Sequence, residues 1–225
     1  MVKMVLTKTC QANLPTKAPN FNQQSSPMNL LAHAFLSFSH PEILVGNMIS
    51  DYVKGKKKFA YTPGIQKGIT LHRAIDAYTD THPATAKAKV YFRNHYRLYA
   101  GAFVDIVYDH FLANDNMQFS DAEAHAAFCS HTYKQLLQYR GAMPGPFSNI
   151  LPYMHAQNWL YHYRYKEGIQ RSFEGLVRRA AYLQSSDAAF NSFNEHYEAL
   201  QACYNEFFPS LKSFTIHTLH KLINT

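Results

Sequence analysis

Between Ile65 and Tyr78 the apolar residues fall at 65, 69, 71, 75 and 78, the period of a helix with one buried face. That same stretch, within LHRAIDAYTD, carries His72, Asp76 and Asp80 four residues apart, so they share one side of the helix over two turns. DIVYDHF repeats the device with Asp105, Asp109 and His110. A carboxylate or imidazole buried in an apolar helix is costly without a counter-charge. A divalent cation is one counter-charge that suits both residue types. A helical metal-dependent hydrolase is therefore the first expectation.

From Asn29 onward the pattern is helical. NLLAHAFLSF precedes Pro41, EILVGNMISDYVKG runs to Gly55, and Asp80-Thr81-His82-Pro83 breaks one helix before Ala84 restarts the next. Further helices are expected at 97–112, at 120–140 with Ser120 as N-cap and Glu123 completing a capping box, at 153–167, at 168–184 and at 188–207. Gly141 to Pro146 reads as a loop, and Pro209 is expected to interrupt before a short final helix. No alternating β-branched run appears, so the fold class is all-α, an irregular bundle of seven to nine helices.

Hydrophobic residues make up 47% of the 225 and charged residues 16%, which gives the chain a sizeable core. Residues 1–27 read differently: polar, with three prolines and no lasting period. They lack the apolar core of a secretory signal. They are expected to be a flexible extension with Met28 as the functional start, and 28–225 one helical domain. Cys10, Cys129 and Cys203 are scattered and odd in number, which fits a reducing cytoplasm rather than a disulfide framework. No apolar run is long enough to span a bilayer. The net charge of +7 gathers partly at Lys54, Lys56, Lys57 and Lys58, at Arg93 and Arg97, and at Arg178 and Arg179. Together these suggest an acidic partner.

Acid usage divides the chain. From Ile43 to Ala122 every acid is aspartate (51, 76, 80, 105, 109, 115 and 121), and afterwards Asp187 is the only one. Glutamate is the better helix former, so repeated aspartate inside helices needs a reason. A short side chain holds a carboxylate rigidly near the backbone, as a metal ligand requires. Asp80, Asp115 and Asp121 read equally well as caps or turn residues. Asp76, Asp105 and Asp109 sit mid-helix among apolar neighbours, where ion pairs with Arg73 or Arg97 are the competing reading. His33 within LLAHAFLS and Asp51 after GNMIS gain weight from these other candidates. Arg73 would either clamp a phosphate oxygen or neutralise an aspartate.

Four blocks resemble one family. MNLLAHAFLS, GNMISDYVKG, GITLHRAIDAYTDTHP and YAGAFVDIVYDHFLA, in that order, are similar to the acyl carrier protein phosphodiesterases, distant relatives of the HD-domain phosphohydrolases. The resemblance continues more weakly through WLYHYRYKEGIQRSFEGLVRRA. It implies a helical, HD-domain-like fold and a divalent metal, Mn²⁺ with Mg²⁺ as the alternative. It also implies removal of 4′-phosphopantetheine from a serine of holo acyl carrier protein, an acidic partner, with nucleic acid not expected. On this reading the ligands come from His33, Asp51, His72, Asp76, Asp105, Asp109 and His110. Asp76 and Asp109 are the leading pair and are expected to meet around a shared cation. Arg73 would stabilise charge on the phosphoryl oxygens, His110 or His82 would protonate the leaving oxygen, and Lys54, Lys56, Lys57 and Lys58 would receive the carrier. Two other readings stand beside it: a metal-dependent phosphohydrolase of nucleotides or other small phosphoesters, and a non-catalytic helical module that binds an acidic partner.

Overall fold

Pro41, Pro63 and Pro83 each open a helix, where a missing N–H and a preset φ cost nothing. The computed structural model describes residues 29–224; the expected extension over 1–27 and the start at Met28 lie outside the described residues. The described residues form an all-α bundle of α1 (Leu30–Phe35), α2 (Pro41–Ile49), α3 (Pro63–Thr81), α4 (Pro83–Tyr96), α5 (Ala100–Ala113), α6 (Ala122–Gln138), α7 (Gly145–Ala156), α8 (Trp159–His162), α9 (Lys166–Arg179), α10 (Asp187–Glu195) and α11 (Tyr197–Ile223). No strand occurs among them. No helix among the described residues is long and apolar enough to cross a membrane.

Eleven helices exceed the seven to nine expected, and the local reasons are visible. The expected 153–167 helix is divided because Asn158 adopts a left-handed conformation (φ 45°, ψ 53°) that ends one helix and starts another. Pro209 does not interrupt: α11 runs unbroken through it. The proline and Asn205, whose carbonyl loses its partner, are both exposed, so water satisfies the orphan, while Phe207, Phe208 and Leu211 bury the adjoining face. The cap of α6 is Asp121 rather than Ser120, its Oδ1 accepting the Ala124 N–H at 2.7 Å, so the capping box with Glu123 does not form. EILVGNMISDYVKG ends as a helix at Ile49 and continues as 3-10 turns at Ser50–Tyr52 and Gly55–Ala60, which puts Asp51 on a turn.

The contact that places the site is between α2 and α3. Gly46 lies on Gly68 so closely that a Cβ built on Gly46 would strike the carbonyl oxygen of Ile65, and one on Gly68 the carbonyl oxygen of Ile43. With no side chain between them the two backbones touch, and Met48, Ile49, Ile69 and Leu71 are buried around the crossing. Each such side chain contributes roughly 1.5–3 kcal/mol by leaving water. α11 packs across α3, α4 and α5 from the other side.

Candidate metal centre

α1 is too short to stand alone, and its first N–H groups point into the core. Asn29 offers no side-chain cap. Asp109, on α5, supplies it instead: Oδ2 accepts the Leu31 N–H at 3.0 Å and Oδ1 accepts the Ala32 N–H at 2.8 Å. Burial pushes the Asp109 carboxyl well above the usual carboxylate range, and the two N–H groups pull it back.

The capped helix carries His33, which is buried. Its Nδ1 lies 2.7 Å from Asn47 Oδ1, while Asn47 Nδ2 donates to the His33 carbonyl at 2.9 Å and to Ser37 Oγ at 3.1 Å. The amide orientation is thereby fixed. Nδ1 of His33 carries the proton, and Nε2 of the neutral ring is left as a lone pair.

α3 brings the partners. The His72 ring stacks on His33 with centroids 4.0 Å apart and an 18° tilt. His72 Nε2 is 3.0 Å from Asp76 Oδ2 and 3.2 Å from Asp51 Oδ1. His33 Nε2 is 3.2 Å from Asp76 Oδ1 yet makes no hydrogen bond. One donor atom from each of His33, His72 and Asp76 fits within 4.8 Å of the others. The imidazoles are buried, whereas the Asp76 side chain is 42% exposed and forms the mouth.

The electrostatics of this group couple two imidazoles to two carboxylates. Burial opposes charge on His72, but Asp51 and Asp76 outweigh it and raise its pKa to about 9. Burial and the neighbouring His72 charge depress His33. Burial pushes the Asp76 carboxyl up, and the two histidines overcome it and hold the group well below the usual range. A proton on His72 thus supplies the positive charge that two carboxylates require. The His33 lone pair still faces a carboxylate oxygen, a repulsion that a cation between them relieves. Two imidazole nitrogens and a carboxylate oxygen are a donor set suited to a first-row divalent ion, so the residues fit a metal.

The other sequence candidates are not among the three converging donors. Asp109 does not meet Asp76 around a shared cation, because both its oxygens are occupied by the backbone of α1. Asp105 is half-buried and not one of the three converging donors, yet it is close enough to feel them: burial, with the charges of Asp76, Asp80 and Asp51 adding to it, raises its carboxyl to about 8. His110 donates Nδ1–H to the Tyr163 carbonyl at 2.7 Å and accepts from Tyr197 Oη at 2.9 Å, so neither nitrogen is left for proton transfer at the trio. His82 caps α4, Nδ1 accepting the Ala84 N–H at 3.2 Å, and its Nε2 meets Ser210 Oγ at 3.2 Å. Arg73 donates to the Val53 carbonyl at 2.9 Å and ties α3 to the segment after Asp51 instead of reaching a carboxylate. Lys54, Lys56 and Lys57 are exposed on the turn that follows, and Lys58 lies over the Phe59 ring at 5.2 Å. Sequence reasoning missed Asn47 and Ser37. The signal for Asn47 was its amide inside the apolar run ILVGNMI, where a buried polar group needs a partner.

Residues 28–211 match the profile of the family described as acyl carrier protein phosphodiesterase. The chain belongs to the acyl carrier protein phosphodiesterase family. The members of this family are hydrolases named for acting on a phosphodiester. The acyl carrier protein phosphodiesterase of Yersinia enterocolitica is 31% identical over 83% of this chain and 96% of its own length. The relatives of that name from Enterobacter sp. strain 638 and Shigella boydii are 32% and 30% identical, over 82% and 84% of this chain and 95% and 98% of their own lengths. No solved structure matches the chain at a significant level.

Proposed function

We propose that this protein removes 4′-phosphopantetheine from holo acyl carrier protein, using a divalent cation held by His33, His72 and Asp76. The observation that carries the reading is the convergence of those three donors, with Asp51 alongside, in a chain of this family. A cation there, Mn²⁺ with Mg²⁺ as the alternative, supplies Lewis acidity toward a phosphoryl oxygen.

The residues of the chain do the rest. Asp76 opens the site to solvent on one side, while the stacked imidazoles wall it on the other. Asp51, at the lip beside His72, takes a proton from the attacking water as the new O–P bond forms. The bond between phosphorus and the serine oxygen breaks, and that oxygen leaves as a hydroxyl with a proton from solvent. The phosphate departs with the pantetheine. Asn47 keeps the His33 lone pair aimed at the site throughout. Lys54, Lys56, Lys57 and Lys58 receive the acidic face of the carrier beside this mouth.

The test is the intact mass of holo carrier protein after incubation with Mn²⁺, Mg²⁺ or a chelator. The expected result is loss of the prosthetic arm with a cation, none with chelator, and no hydrolysis across a nucleotide panel. A carrier that keeps its arm while a nucleotide is cleaved would overturn the proposal.

A further inference from the structure

A cleft of about 350 Å³ opens where α4 turns into α5, lined by Asp80, Lys89, Arg93, Arg97, Leu98 and Asp105 among others. Its charges are not balanced internally. Lys89 is committed to Asp80 at 2.8 Å, but Arg93 and Arg97, both exposed, make no ion pair among the described residues. Leu98, which lines the same cleft, is 100% exposed, the most exposed large apolar side chain among the described residues.

The corner that presents Leu98 is rigidly built. Tyr96, one residue before the turn, is buried; its hydroxyl donates to the Ser185 carbonyl at 3.1 Å and accepts the Ala189 N–H at 2.9 Å. Arg97 then adopts φ 43° and ψ −111°, a conformation that a side-chain-bearing residue adopts only under strain. A strained turn held by an anchored neighbour thus presents an exposed leucine together with two arginines that make no ion pair among the described residues.

Its position relates it to the trio. Along the exposed edge of α3, Arg73 ties to Val53 just before the lysine-bearing turn, and Asp80 ties to Lys89 at the cleft. Seven residues of helix, roughly 10 Å of rise, separate those two ties, and Asp76 lies between them. The mouth therefore sits between two basic surfaces. We infer that the Arg93–Arg97–Leu98 corner docks the acidic face of the carrier protein, Leu98 meeting an apolar side chain and the two arginines its carboxylates. This inference rests on the substrate proposed above. Charge complementarity selects an acidic protein, and an exposed leucine beside the arginines separates the surface from a site for a bare phosphate.

The experiment compares Arg93→Glu/Arg97→Glu and Leu98→Ser with the unaltered protein. One arm measures turnover of holo carrier protein and of bis-p-nitrophenyl phosphate, each with Mn²⁺. The other measures binding of apo carrier protein, which requires no chemistry, by fluorescence anisotropy. The expected result is a KM for the carrier raised about tenfold or more, as for charges at an interface rim, with kcat and the small substrate changed less than about twofold. Apo carrier binding should weaken in parallel, and Arg93→Gln/Arg97→Gln should fall between the two. Unchanged carrier KM and binding would overturn the inference. So would equal losses on both substrates, which would make the cleft a phosphate site, or a concentration-dependent dimer abolished by Leu98→Ser, which would make it a self-contact. A protein that binds apo carrier but leaves the holo form intact would sink the proposed hydrolysis and leave the docking corner standing.

Discussion

Asp109 holds His33 in place from 76 residues away. Its carboxylate caps α1 through Leu31 and Ala32, the two residues just before the histidine whose imidazole faces Asp76. A residue outside the three converging donors thereby fixes the helix that carries one of them.

Asp109→Ala leaves two buried N–H groups without acceptors, which should cost about 2–4 kcal/mol of stability. Asp109→Asn should not rescue it, since its NH₂ group would face one of those N–H groups. Urea unfolding followed by circular dichroism reads the loss, and titration with Mn²⁺ on the folded fraction should show weaker binding. A fully stable alanine variant would mean that the cap carries no weight.

His33→Ala, His72→Ala and Asp76→Ala should each abolish turnover of holo carrier protein while keeping the helical spectrum. Elemental analysis after purification without chelator should find the divalent metal of the unaltered protein missing from all three. Asn47→Ala should keep the metal but bind it about 10–100-fold more weakly, because only the tautomer and ring orientation are loosened. Equal metal content in all four variants would point to a different site.

Gly68→Ala tests the helix crossing. The methyl group would meet the Ile43 carbonyl oxygen and the Cα of Gly46 at 2.9 Å, all backbone, with no flexible side chain to move aside. A destabilisation of about 1–3 kcal/mol or more is expected, together with loss of metal binding as α2 and α3 separate. A melting temperature within a degree of the parent would contradict the packing.

Acid should weaken the fold through His125 and His110. Burial lowers both to about 4, and both nitrogens of His125 lack a partner. Unfolded, each protonates near its ordinary 6.5. Above that pH both states are neutral and the stability is full. As the pH falls from 6.5 toward about 4 the unfolded chain takes up protons that the folded chain refuses, so stability declines, by roughly 1–3 kcal/mol per histidine. His125→Phe, against Phe119 and Tyr161, should flatten part of that limb. Denaturant midpoints from pH 7.5 to 4.5, in chelator, would read it, and identical slopes for both proteins would count against it.

Two members of the trio were legible because their spacing is local. His72 and Asp76 share a helix face by sequence alone, and His33 stands out in an apolar run. Asp109 carried the same signal as Asp76, a carboxylate among apolar neighbours, and ended in a different role. Its partners are backbone N–H groups of a distant helix, and a backbone N–H leaves no trace in residue identity. His82 and His110 were read for their chemistry, when a turn and two tyrosines already engage their nitrogens. Pro209 looked like a break because sequence does not reveal that Asn205, whose carbonyl it leaves unpaired, is exposed.

Asp76 alone of the trio reaches solvent. Whatever is loaded onto the two imidazoles, or stripped from them, meets that carboxylate and the partly exposed Asp51 beside it. A folded protein seated over the same doorway would shut it, so filling has to precede engagement, and a chelator added afterwards should act no faster than the visitor leaves.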